Sequence, residues 1–176
     1  MTKSALLLTS ALFSLVAASN AQAAVTVIGG GMAAITCART LVQAGHQVTV
    51  FEKSHGAGGR MSTRNSPFGT FDHGAQYFTV RDPRFVEALQ TTPKTCRPWS
   101  ANMVQVLDER GRVAAAGLPA REPHWVAKPG MNALVKTWAA PLEDSILFDT
   151  RVTHIETDAM DKALWQLRTM GSLYRK

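Results

Sequence analysis

Three consecutive glycines between an apolar strand and a helical pattern constrain this chain more than any other feature. The run is Val25-Thr-Val-Ile-Gly29-Gly30-Gly31-Met32-Ala33-Ala34, and it is answered further on by Val48-Thr-Val-Phe-Glu52. Gly29 lets a strand turn sharply into a helix, and Gly31 removes a side chain where a phosphate must touch backbone. Small Ala34 lets the helix pack closely on the strand. The helix N-terminus then favours an anion through free N–H groups and the positive end of its dipole. Glu52 sits at the end of the second strand, where a carboxylate can accept the hydroxyls of a ribose. Together these residues predict a dinucleotide-binding βαβ unit. The competing reading is a tight strand–helix turn that binds nothing, with Glu52 solvated.

A chain of 176 residues holds one ordinary domain, or one domain and part of a second. With 45% apolar and 18% charged residues it can form a core. The net charge of +6 comes from scattered Lys and Arg rather than a basic run, so nucleic acid is not an expected partner. Residues 1–23 have the form of a signal peptide: Lys3, an apolar run from Ala5 to Ala18, and Ala21-Gln22-Ala23 as a small-residue cleavage site. That run is too short for a stable membrane span. Export to the periplasm or medium is the expectation; a mis-assigned start on a cytoplasmic protein is the alternative.

Further elements follow from pattern. Ala24 to Ile28 reads as a strand buried on both faces, and Met32 to Ala44 as a helix closed by Gly45. Gln47 to Phe51 is the second strand, and Lys53 to Gln76 a long functional loop. Asp82-Pro83 opens a short helix with Phe85, Val86 and Leu89 on one face. Met103 to Leu107 and Val113 to Ala116 suggest a hairpin, and Gly130 to Ala140 a helix stopped by Pro141. Ile146 to Phe148, Arg151 to Ile155 and Leu164 to Arg168 are strand candidates, whereas the last six residues carry no usable pattern. Cys37 reads as a small buried hydrophobe on the first helix, and nothing supports a disulfide to Cys96. Trp99, Trp125, Trp138 and Trp165 are expected in packing, Met131 in the core, and His154 on a solvated face. Asp72 and His73 suggest an orienting hydrogen bond rather than proton transfer. No catalytic residue and no metal ligands are assigned.

A second glycine motif, Gly56-Ala-Gly-Gly59-Arg60-Met61-Ser-Thr63, follows Glu52 and permits another close backbone approach. Its Arg60 can form paired hydrogen bonds to a phosphate; a flexible surface loop is the plainer reading. With Val-Ile-Gly-Gly-Gly-Met-Ala-Ala, Phe-Glu-Lys, this Gly-Gly-Arg-Met-Ser-Thr and Phe71-Asp72-His73-Gly74-Ala75-Gln76-Tyr77-Phe78-Thr79, the chain resembles the flavin-dependent amine-oxidase superfamily. Within it the chain is most similar to bacterial renalase-like oxidoreductases, a likeness that extends to Pro129-Gly130-Met131-Asn132-Ala133-Leu134 and Thr150-Arg151-Val152.

The resemblance implies an α/β fold: a Rossmann-like FAD-binding βαβ domain with part of a second, mainly β substrate domain. Residues 24–100 would form the FAD-binding segment, and 101–176 the partial substrate domain plus returning strands. Gly29, Gly31, Ala33 and Ala34 would hold the pyrophosphate of FAD, and Glu52 its adenosine ribose. Gly59 and Arg60 would meet the phosphate and ribityl region, Gln76 and Tyr77 the flavin ring, and Val152 the adenine through its backbone. The implied activity is oxidation of a small substrate, a reduced nicotinamide such as NAD(P)H or an amine, with oxygen as acceptor. The resemblance also implies an amino-terminal part only, either truncated or dependent on a partner segment for the rest of the pocket. A non-catalytic dinucleotide-binding fragment is the alternative of a different class. A nicotinamide-dependent dehydrogenase is disfavoured by Gly-Gly-Arg and Asp-x-Gly-Ala-Gln-Tyr.

Overall fold

A computed structural model describes residues 22–99, 106–115, 122–170 and 173–175. The expected signal segment up to residue 21, and most of the expected strand from Met103, lie outside the described residues. In chain order the elements are β1 (Ala24–Ile28), α1 (Met32–Gln43), β2 (Gln47–Phe51), β3 (Thr63–Ser66), β4 (Gly69–Asp72), β5 (Phe78–Thr79), α2 (Pro83–Gln90) and β6 (Cys96–Pro98). They continue with β7 (Val106–Leu107), β8 (Val113–Ala115), β9 (His124–Ala127), α3 (Asn132–Ala139), β10 (Ile146–Leu147), β11 (Val152–Thr157), β12 (Trp165–Thr169) and β13 (Leu173–Arg175).

The centre is a parallel sheet in the order β1-β2-β10, with β1 and β2 in register from Ala24 opposite Gln47 to Ile28 opposite Phe51. β2 is the buried strand, with Val50 fully enclosed and Val48 and Phe51 nearly so. β1 departs from expectation. It has one hydrogen-bonded neighbour among the described strands, so its centre is half-buried and Ile28 is exposed. Across β1 stands the antiparallel sheet β11-β12-β13, where Ile155, Trp165 and Leu167 face Ala24, Val25, Thr26 and Ile28 over a cavity of about 410 Å³. The carboxy-terminal residues, patternless by sequence, supply a strand whose Tyr174 ring meets Phe51 edge-on at 5.0 Å.

α1 begins at bare Gly31 and ends in a Schellman turn, with Gly45 N–H donating to Val42 O and His46 N–H to Leu41 O. Its apolar stripe buries Ile35 and Ala38 completely and packs on α3, which contributes Leu134, Val135 and Trp138. Arg39 lies over the Trp138 ring, 5.0 Å from its centroid. Cys37 is exposed, which corrects the expectation of a buried thiol. It sits about 200° around the helix from Ile35, away from the stripe. Cys96 is the buried thiol, and burial pushes its pKa up to about 11. Both cysteines are free.

Three other expectations need revision. The stretch from Lys53 to Gln76 is not one long loop: it contains a one-turn helix (Gly59–Met61) and the hairpin β3-β4. The helix expected from Gly130 starts at Asn132; it does end before Pro141, at Ala139, but the chain then continues as a 3-10 helix (Ala140–Ser145) that Pro141 opens, where its missing N–H costs nothing. Of the tryptophans, Trp138 is buried, Trp125 is half-buried and Trp99, though partly exposed, packs across strands on His124, but Trp165 is exposed. Met131 is fully buried and His154 exposed, both as expected.

α2 is capped as expected. Asp82 accepts from Arg84 N–H at 2.9 Å, and its carboxylate also holds the Arg84 guanidinium. That guanidinium keeps the Asp82 pKa low, at about 2 against an ordinary 3.8. Because the folded value is depressed, the cap contributes fully above pH 3.8 and is lost only as the pH falls through about 2. Two outcomes are expected for the core. Ile35→Ala should cost about 2–5 kcal/mol in urea unfolding, and a maleimide should modify one thiol in the native protein but two in denaturant.

Candidate functional site

The ends of β1 and β2 set the site. Gly29 takes φ of +105°, and its N–H donates to Phe51 O at 2.8 Å, tying the turn to the neighbouring strand. Gly30 then meets Glu52. Its N–H donates to Glu52 Oε2, while Ser54 N–H donates to Oε1 at 2.7 Å. Glu52 is thereby buried to 7% exposure. A Cβ on Gly30 would stand 2.9 Å from Oε2, so the middle glycine is required by the carboxylate beside it. Pattern reading passed over Gly30; the signal available was a third glycine that the strand–turn–helix motif did not need.

The second glycine segment folds onto the first. Gly58 N–H donates to Gly30 O at 2.9 Å, and Gly31 and Gly58 form a parallel bridge. Gly59 has φ of +54°, and a Cβ there would approach Gly31 Cα to 3.0 Å. The chain's own packing therefore explains glycine at 30 and 59. It does not explain Gly31, whose φ of −82° suits any residue and whose Cβ would meet only Gly59 Cα at 3.8 Å.

Behind this contact, the β3-β4 hairpin and the start of α3, far apart in sequence, share a small network. Asp72 Oδ1 accepts from Thr63 Oγ1 at 2.6 Å and from Met131 N–H at 2.9 Å, and Asn132 N–H donates to Thr63 Oγ1 at 3.1 Å. Asp72 and Thr63 thus satisfy free N–H groups at the start of α3, where a carboxylate is also favoured by the helix dipole. The expected Asp72–His73 bond is replaced by these contacts, and His73 is exposed.

Two cavities meet at the glycine turn. One, of about 830 Å³, is lined by Gly29, Gly31, Ala33, Ala34, Gly59 and Arg60 among others. The other, of about 280 Å³, is lined by Gly29, Glu52, Lys53, Arg151 and Val152 among others. Ile28 and Gly29 line both, so the two flank the glycine turn and together make up a trough. Eight of the ten residues singled out by sequence line it. Gln76 and Tyr77 do not; they follow the wall residues Gly74 and Ala75 and are exposed. Over the trough, α1 starts with no side-chain cap and no acidic residue in its first turn. Its first N–H groups and its positive dipole end are left for an external anion.

Residues 27–91 match the NAD(P)-binding Rossmann-like domain. The parallel βαβ core is a Rossmann-like α/β fold. Over 58 residues the chain is 41% identical to 4,4'-diapophytoene desaturase (4,4'-diaponeurosporene-forming) of Staphylococcus haemolyticus and 40% identical to that of Staphylococcus aureus. Each match covers 33% of this chain and 12% of the desaturase. Among solved structures, a protein described as an FAD-containing monooxygenase from Photorhabdus luminescens aligns with TM-score 0.54 at 15% identity. The 2,6-dihydroxypyridine-3-hydroxylase of Arthrobacter nicotinovorans aligns with TM-score 0.52 at 16% identity. Both alignments cover 86% of this chain, and 37% and 34% of those proteins respectively. The chain thus spans about a third of its structural neighbours.

The Asp72 network gives a direct test. Asp72→Ala leaves the Met131 N–H without its acceptor and should lower stability by about 2 kcal/mol. Asp72→Asn keeps an oxygen in place and should lose markedly less, both read by urea unfolding.

Proposed function

We propose that this chain binds FAD and forms the dinucleotide-binding part of a flavin-dependent oxidoreductase of the amine-oxidase superfamily, renalase-like in its motifs. One observation carries the reading: the trough runs past the uncapped start of α1 and bare Gly31, between Glu52 and Val152 at one end and Arg60 at the other. A diphosphate ester with an adenosine on one side fits that sequence of groups. Gly31, Ala33 and Ala34 would meet the pyrophosphate through backbone N–H groups, and Arg60 would add a charge-assisted contact. Glu52, already accepting from Gly30 and Ser54, keeps lone pairs for ribose hydroxyls. Val152 would border the adenine. Gln76 and Tyr77, one and two residues beyond the wall residue Ala75, would lie toward the flavin ring.

FAD, when bound, supplies hydride acceptance. The residues of this chain orient it and hold its charge; the small substrate, a reduced nicotinamide or an amine, and oxygen as electron acceptor complete the reading. A nicotinamide dinucleotide in the same trough is the second reading, favoured by the description of the matched domain family.

Calorimetric titration separates the two. FAD should bind with a heat that NAD⁺ does not produce, and the complex should carry flavin absorbance. Gly31→Ala is the sharper test, because the chain accommodates its Cβ at 3.8 Å. It should unfold at the same urea concentration as the parent yet bind FAD about tenfold or more weakly; equal binding would remove the phosphate from this position. Arg60→Ala should also weaken retention about tenfold.

A further inference from the structure

The sheet β5-β9-β6 presents different chemistry on its two faces. Phe78 pairs with Trp125 and Thr79 with His124, while Cys96 pairs with Ala127 and Pro98 with Trp125. The pleat sends Cys96 and Ala127 into the core, where both are buried. The same alternation brings Tyr77, His124 and Trp99, one from each strand or its immediate extension, to the opposite face. Trp99 N–H donates to His124 O at 2.7 Å, which fixes the two rings as cross-strand neighbours. Tyr77 stacks on His124 with centroids 4.1 Å apart and planes 27° from parallel. Trp99 lies 6.0 Å from Tyr77 and 6.3 Å from His124, at 32° and 33°.

Three rings with planes 27–33° apart, held together by backbone pairing, form a preorganised aromatic surface. Tyr77 and Trp99 are 37% and 39% exposed, in a chain that buries its other ring cluster of Phe78, Phe85 and Trp138 more deeply. One of the three rings is close to the trough along the chain. Ala75 lines the large cavity and donates to Arg60 O at 2.8 Å, and Tyr77 is two residues on, within about 7 Å of Cα–Cα reach.

We infer that Tyr77, His124 and Trp99 form the ring-recognition surface for the substrate of this site, and that the substrate carries a planar aromatic ring. The inference rests on the flavin reading for its position and on the three-ring geometry for its chemistry. An aromatic surface of this kind favours a flat π system, in offset or edge-on contact; a saturated ring of the same size gains only apolar contact. Trp99 and His124 then set specificity without touching the dinucleotide.

The test compares 2-naphthol with decahydro-2-naphthol, which share size, charge and hydroxyl but differ in planarity. Each is titrated calorimetrically into the full chain, with and without FAD, while flavin absorbance monitors cofactor separately. 2-Naphthol should bind at least about fivefold more tightly, and Trp99→Leu and His124→Leu should each reduce that preference about threefold or more with flavin absorbance unchanged. Equal binding of the two alcohols to the unmodified protein overturns the inference whether or not the variants fold; so does an undiminished preference in folded Trp99→Leu. Preference for 2-naphthol in protein that takes up no FAD sinks the flavin reading and leaves the aromatic surface standing. Bound flavin without the preference does the reverse.

Discussion

The structure depends on a contact between two stretches of backbone that carry almost no side chain. Gly58 reaches Gly30 through one hydrogen bond, and Gly31 lies against Gly59. The first stretch is tied to β2 through Gly29 and Glu52, and the second leads through Arg60 to Ala75 and onward to β5. The parallel core and the antiparallel sheet beyond it are thus joined where bulk is least tolerated. A methyl group at Gly30 strikes the carboxylate, and one at Gly59 strikes Gly31. Steric necessity accounts for these glycines without any ligand, which is why the unforced bareness of Gly31 stands out.

Glu52 has a double position. Its oxygens accept from the turn and from Ser54, which orders the segment joining β2 to the second glycine run. The same carboxylate lines the smaller cavity. A group held by two backbone donors is preorganised, so it offers its remaining acceptor capacity to a ligand with little further loss of side-chain freedom.

What the sequence disclosed follows the range of its physics. β1, α1, β2 and the cap of α2 were legible because local signals decide them: an apolar run, helical spacing, Gly45 after the helix, Asp82 before Pro83. The trough was legible for the same reason, since eight of the predicted residues sit on those elements or on the glycine motifs. β6, β9 and β13 were not, because they are only three or four residues long and become strands through partners far along the chain. The hairpin β3-β4 was hidden by its Thr, Asn, Ser and Gly composition. Cys37 is exposed because its angle on the helix is not that of the stripe through Ile35 and Ala38, which the type of residue alone does not tell. Asp72 was noticed for the wrong partner, since the neighbour in sequence is His73 and the neighbours in space are Thr63 and Met131.

Because one carboxylate joins the β3-β4 hairpin to the first turn of α3, these two pieces are not separable modules. Exchanging either one with a homologous segment, in a chimera or by recombination, would import a backbone whose acceptor or donor faces nothing. Such swaps should be tolerated only when both pieces travel together, which makes positions 63, 72 and 131 a single inherited unit rather than three independent sites.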